Sequence, residues 1–248
     1  RVGVYFNIAH NENKITEMPD NYIEENYTFG NGNYAYRREE GRPMGSFYGY
    51  RYKGVYQNKD ATYARDIEGN VMKDISGNAI VMRNGSYTVA PGDAIYEDVN
   101  HDGVINQYDI VYLGNSNPRL TGGAGLNVSY KQFKLSAIFY GRYGQDVVNA
   151  TRLNNESMRG IDNQSTAVLR RWRNEGDQTD IPRALYGEGY NTLGSDRFVE
   201  DASYLRLKSL SFTYRLPKKA IQRWGFNNID VYVTGYNLFT WTKYTGQD

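Results

Sequence analysis

The sequence has no cysteine and, among 248 residues, only two histidines, His10 and His101. The first absence removes disulfides, thiolate chemistry and cysteine zinc sites, and two imidazoles do not build a histidine-rich metal centre. Long apolar runs are also missing, and no window approaches the roughly 20 residues that a membrane helix needs. Neither sign of charge prevails: 29 Lys and Arg face 28 Asp and Glu, so the net charge of +1 gives no warrant for a nucleic-acid partner. Two possibilities survive these exclusions. Calcium takes hard oxygen ligands that the chain does have, and a membrane-crossing strand needs only about 9–11 residues with one apolar face.

What the chain has in plenty is tyrosine, 24 residues, and glycine, 26. Its clearest periodicity is two. Val2, Val4, Phe6 and Ile8 alternate with Gly3, Tyr5, Asn7 and Ala9, the pattern of a strand with two unlike faces. GLNVSYKQFKLSAIFYGRYG predicts a hairpin that turns at Lys131 and Gln132. Near the end, SYLRLKSLSFTYRLP places Leu210, Phe212, Tyr214 and Leu216 in one phase, with Leu205 and Leu207 in the opposite one. Ile229, Val231, Val233, Gly235, Asn237 and Phe239 then alternate through a last strand. GSFYGYRYKGVYQ, residues 45–57, reads as a further aromatic strand. Glu12–Gly41 reads as connection, residues 58–97 as a long excursion, and the polar stretch around Val168, Leu169 and Trp172 as short surface helices.

One stretch carries metal chemistry. DVNHDGVINQYD puts Asp98, Asn100 and Asp102 at positions 1, 3 and 5 of a calcium loop, with the turn-forming Gly103 at 6, the Val104 carbonyl at 7 and Asp109 at 12. Alternate oxygens are brought round a single ion by one tight turn, which is why the chemistry needs this spacing. An Asx-turn loop with no ion keeps the same geometry. If calcium binds, its role is structural, and no organic cofactor is expected. The run LRRWRNEGDQTD offers Arg170, Arg171, Trp172 and Arg173 as contacts for a substrate or partner, or simply as a solvated loop. The rings of Tyr48, Tyr50, Tyr52, Tyr140, Tyr143, Tyr232, Tyr236, Phe239 and Trp241 can be interfacial girdle, lumen or core, and a minority can stack on a sugar or peptide. No nucleophile or paired-carboxylate constellation stands out, so the chain reads as no enzyme.

Several ordered segments resemble one family, the SusC/RagA type of TonB-dependent outer-membrane transporter. They are SDRFVEDASYLRLKSLSFTYRLPKKAI, NNIDVYVTGYNLFTWTKYTGQD, EGRPMGSFYGYRYKGVYQ and the segment from Gly92 to Asn149. The resemblance implies an all-β fold, with residues 1–248 forming the C-terminal part of one 22-stranded antiparallel transmembrane barrel with long extracellular loops. It also implies a place in the bacterial outer membrane as a multi-pass β-barrel, in contact with lipid. The implied activity is import of glycan oligomers, or of peptides. The implied partners are a SusD-like surface lipoprotein and, through an N-terminal region, TonB. Because the chain opens inside a strand pattern without Met, it is expected to be a fragment lacking the plug and the final strand. The residues alone leave another reading open, a calcium-stabilised surface β-rich carbohydrate-binding module.

Overall fold

The computed structural model describes residues 1–19, 34, 38–187 and 189–246, which form two compact units. Part of the expected Glu12–Gly41 connection lies outside the described residues, as do Gln247 and Asp248.

The first unit is built on one antiparallel sheet, ordered Val2–His10, Leu120–Tyr130, Phe133–Tyr143, Tyr204–Arg215, Asp230–Thr242. The predicted hairpin forms, with Phe133 opposite Tyr130 and Lys131 in the left-handed region at φ 52°. Cross-strand register sorts the side chains into two unlike faces. Phe6, Ala124, Phe139, Leu207 and Phe239 share one apolar row. Asn7, Gly123, Tyr140, Arg206 and Thr240 share a polar row on the other face. The phase break between Leu207 and Leu210 is a β-bulge. Lys208 is the extra residue, and it returns Leu205 and Leu207 to the apolar face.

The register overturns the expectation of a closed 22-stranded transmembrane barrel. A barrel closes only when its first and last strands bond to each other, whereas here Val2–His10 and Asp230–Thr242 are the two edges of an open five-stranded sheet. Alternation along a strand specifies two faces but neither strand number nor closure, so the sequence pattern suits an open amphipathic sheet equally well. Four smaller open sheets and short helices at Ala150–Asn155 and Lys218–Ile221 make the fold mixed rather than purely β. The multi-pass outer-membrane placement and the transmembrane strands lose their structural basis with the barrel. Among the described residues no helix is long and apolar enough to cross a membrane, a criterion that does not bear on strands.

The second unit holds most of what reads as loop. Its largest core joins Tyr56, Ala64, Met82, Val89, Ala94, Tyr96 and Ile105, so the 58–97 excursion builds a core of its own. Residues 45–57 form two short strands instead of one. Ser46–Gly49 pairs with Val111–Asn115, and Tyr52–Val55 pairs with Ala94–Tyr96. The break falls where a side chain on Gly49 would run into the Gly194 carbonyl, and where Tyr50 bonds across to Gly194 and Asp196.

Two polar networks hold the buried parts of this unit. Asp93 accepts hydrogen bonds from Arg183 Nε (2.7 Å), Tyr87 Oη (2.8 Å), Ala90 N–H (2.8 Å) and Asn191 Nδ2 (3.1 Å). Glu156 takes Arg152 Nε on one oxygen (3.0 Å) and Arg197 Nη2 on the other (2.8 Å).

Candidate functional site

In the 98–109 loop, Asp98, Asn100 and Asp102 are joined by hydrogen bonds around one turn. Asp98 Oδ2 accepts from Gly103 N–H at 2.8 Å, and Asp98 and Asn100 both accept from Asp102 N–H at 3.2 Å. Asn100 Nδ2 donates to Asp102 Oδ2 at 2.9 Å, and Gly103 makes the turn at φ 82°. Asp109 does something else. Fully buried, it accepts from Val99 N–H and Asn106 N–H, both at 2.8 Å, and closes the loop as half of a capping box around Asn106. Burial raises its carboxyl above the ordinary value, and the two backbone N–H groups oppose that shift. The Val104 carbonyl accepts from Asn106 Nδ2 at 3.2 Å.

The donor set matches the chemistry of calcium in part. Asp98, Asn100 and Asp102 present hard oxygens on one turn, and each carboxylate oxygen keeps a spare lone pair after its N–H bond. Asp109 is committed to the backbone. Among the described residues no group of three or more His, Cys, Asp or Glu side chains is placed to hold a metal.

A related device lies beside this loop and escaped the reading of the sequence. DIEGN at 66–70 and DISGN at 74–78 are tandem copies of one turn. In each, the Asp carboxylate accepts the N–H groups two and four residues on, at 2.8–2.9 Å. Those bonds, led by Asn70 and Asn78, hold Asp66 and Asp74 below the usual carboxylate range. The eight-residue spacing of D-I-x-G-N was the available signal. Gly103 packs against Ala64, and His101 Nδ1 lies 3.4 Å from the Arg65 carbonyl, so the calcium-type loop rests on the bridge-paired segment that leads into the first turn.

The arginine run turns part of its side chains back on its own backbone. Arg170 is exposed, Arg171 Nη1 donates to the Val168 carbonyl (3.3 Å), and Arg173 Nη2 donates to the Leu169 carbonyl (3.2 Å). The Trp172 indole lies on Gly92, where a Cβ would overlap the ring.

The polar face of the five-stranded sheet concentrates aromatic and hydrogen-bonding groups that the sequence shows only as scattered letters. Tyr5 is laid across Gly125, which has no side chain to lift it, and Asn7 Oδ1 accepts from Gly123 N–H at 2.7 Å. Tyr140 and Tyr204 stand 6.3 Å apart, each beneath a guanidinium, from Arg142 and Arg206 respectively. Asn127 with Ser136 (2.7 Å) and Ser211 with Thr234 (2.9 Å) continue the face as paired hydroxyl and amide groups. Tyr5, Tyr232 and Tyr236 remain 53%, 72% and 70% exposed. An open depression of about 890 Å³ lies between Phe6, Ile8, Phe139, Leu205 and Trp241, over Gly122 and Gly141. Its walls are mainly apolar, so a hydroxyl-rich ligand is better matched by the opposite, polar face.

Fold and face together define a β-rich module built on an open amphipathic sheet. No protein-family model matches the chain. TonB-dependent receptor P3 of Formosa agariphila is 32% identical over 98% of this chain, and TonB-dependent receptor P26 of the same organism is 29% identical over 96%. The chain spans 22% of the length of each. Among solved structures, a RagAB peptide transporter is 26% identical with a TM-score of 0.66, covering 99% of this chain and 24% of that one. A RagAB peptide importer in a closed-closed state, 24% identical with a TM-score of 0.67 over the same shares, matches in fold. These relatives are TonB-dependent receptors and a peptide transporter, and none of them is named as an enzyme. The resemblance to the barrel portion of SusC/RagA-type transporters is thereby corrected to a distant link with such an uptake system. Import by a closed barrel is set aside with it, since the sheet is open.

Proposed function

We propose that the chain is a surface β-rich carbohydrate-binding module with the polar face of the five-stranded sheet as its binding surface. The observation that carries this reading is the set of Tyr5, Tyr140, Tyr204 and Tyr236 rings interleaved with Asn7, Asn127, Ser136 and Thr240 on one face. Sugar rings present C–H faces that stack on aromatics and hydroxyls that exchange hydrogen bonds with such side chains. The glycan assignment rests on this face alone, since the solved relatives are peptide transporters, and a SusD-like surface lipoprotein is proposed as the neighbour. TonB belongs to the proposal as a partner of the wider system and not of these residues.

The test is calorimetric titration with a panel of oligosaccharides. Tyr5→Ala and Tyr236→Ala should each weaken binding by about tenfold, the ~1.4 kcal/mol of one good stacking contact. Unchanged binding in both variants, with loss in Trp172→Ala, would move the site to the arginine run and reject this one.

Calcium is proposed as a structural clip held by Asp98, Asn100, Asp102 and the Val104 carbonyl, with Asp109 a ligand only if it gives up backbone bonds. Ordering such a loop costs roughly 1–2 kcal/mol per residue in backbone entropy, which an ion offsets. Proteolysis within 98–109 should slow in calcium relative to chelator, and Asp98→Ala with Asp102→Ala should abolish the difference. Equal cleavage rates of the unaltered protein in both buffers contradict the clip.

A further inference from the structure

The composition of the sheet differs in charge from that of the chain. The five strands carry the cations Lys134, Arg142, Arg206, Lys208 and Arg215 and one carboxylate, Asp230. Asp230 is already taken by Arg215, in a two-point ion pair at 2.8 and 2.9 Å. Asp201, just ahead of the Tyr204–Arg215 strand, accepts from Ser203 N–H and has Lys243 near it. A chain of almost balanced charge therefore presents a cationic sheet. Register places Lys134, Arg142 and Arg206 on the same face as the tyrosines.

The arrangement around Arg142 is the most specific part. Arg142 lies opposite Tyr204, and Tyr140 lies opposite Arg206, so rings and guanidinium groups alternate in a two-by-two checkerboard. Arg142 Nε donates to Tyr140 Oη at 3.1 Å, and Arg206 Nε donates to Thr240 Oγ1 at 3.0 Å. Arg142 is exposed, with its guanidinium beside the Tyr140 ring. Guanidinium forks match the planar geometry of carboxylates, and neighbouring rings supply a stacking floor.

We infer that the Tyr140, Arg142, Tyr204 and Arg206 checkerboard is a subsite for a carboxylate-bearing sugar, which makes the ligand of this face an acidic oligosaccharide. This rests on the carbohydrate-binding reading above and sharpens its substrate class. A sugar acid puts one oxyanion on the same ring whose C–H face stacks, so a single residue engages both halves of the checkerboard. An acidic peptide brings the charge without the stacking ring.

The experiment titrates the full protein with tetragalacturonate, its methyl ester and tetraglutamate. The acid should bind at least tenfold more tightly than the ester, and raising the salt to roughly 0.5 M should remove most of that advantage. Arg142→Gln should bring acid and ester within about twofold of each other while leaving ester affinity in place, with Arg142→Lys restoring part of the preference. Equal affinity for acid and ester in the unaltered protein overturns the acidic-subsite inference and leaves carbohydrate binding standing. No binding of either sugar overturns the carbohydrate reading itself. Tetraglutamate binding as tightly as tetragalacturonate overturns the sugar-acid assignment in favour of charge alone.

Discussion

Replacing Glu156 with alanine is expected to destabilise the protein by about 3–5 kcal/mol, the cost of leaving a buried charge without its counter-ion. Glu156 and Arg197 have side chains only 6% and 5% exposed, and their 2.8 Å contact is the one hydrogen bond that Arg197's guanidinium makes among the described residues. Arg197 Nε and Nη1 are buried without partners, while the rings of Tyr52 and Phe198 lie 5.1 Å from its guanidinium carbon. Ring faces soften the desolvation of the cation but accept no N–H as a carboxylate does. The alanine variant strands Arg197 and also removes one of two carboxylates that hold Arg152. Pairing Glu156→Leu with Arg197→Met removes both charges and should be less damaging than the single change. Urea denaturation measures both. A loss below about 1 kcal/mol in Glu156→Ala would show that water reaches Arg197.

Asp93→Ala ranks second, with an expected loss of about 3 kcal/mol. Asp93 is 1% exposed and draws together three segments through Arg183, Tyr87, Ala90 and Asn191. Arg183 is about a third exposed, so solvent recovers part of its charge and the loss stays near the lower end for broken buried pairs. The Asn191 amide nitrogen, buried beside Asp93, is left with its 3.2 Å bond to the Arg183 carbonyl. Asp93→Asn keeps one acceptor but turns an amide donor toward groups that already donate, so it should fall between alanine and the native residue. The same denaturation curves check the order, and an asparagine variant worse than alanine would contradict this account of the site.

How much of this was legible in the sequence varies with the physics involved. Strands whose two faces differ were plain, because alternation at Val2–Ile8 and through the Phe133 strand follows directly from the pleat. Even the irregular Leu205 and Leu207 were informative: their phase break marks the bulge at Lys208. Pairing was not legible. Residues 45–57 look like one strand because tyrosine favours extended backbone in any sheet, while the switch of partners at Tyr50 depends on Gly194 and Asp196, far along the chain. The expectation of closure came from the family resemblance, and alternation could not check it, since strand edges leave no mark on alternation. At the loop, Asp98, Asn100 and Asp102 lie together on one turn, but Asp109 is taken by the backbone N–H groups of Val99 and Asn106, a capping role that the calcium-loop spacing does not distinguish from a ligand role. The polar face could not be read as a site, because its tyrosines and arginines are spread over four strands between Tyr5 and Tyr236.

The most direct test of the central claim is to map where an oligosaccharide binds, by amide and tyrosine-ring NMR shifts or by hydrogen exchange on the complex. Binding through the polar sheet face predicts changes confined to Tyr5–Asn7, Gly123–Asn127, Ser136–Arg142 and Tyr204–Ser211, with Tyr236 and Thr240 at the margin. Changes centred on 98–109 or on Arg170–Arg173, with the sheet unaffected, would contradict it.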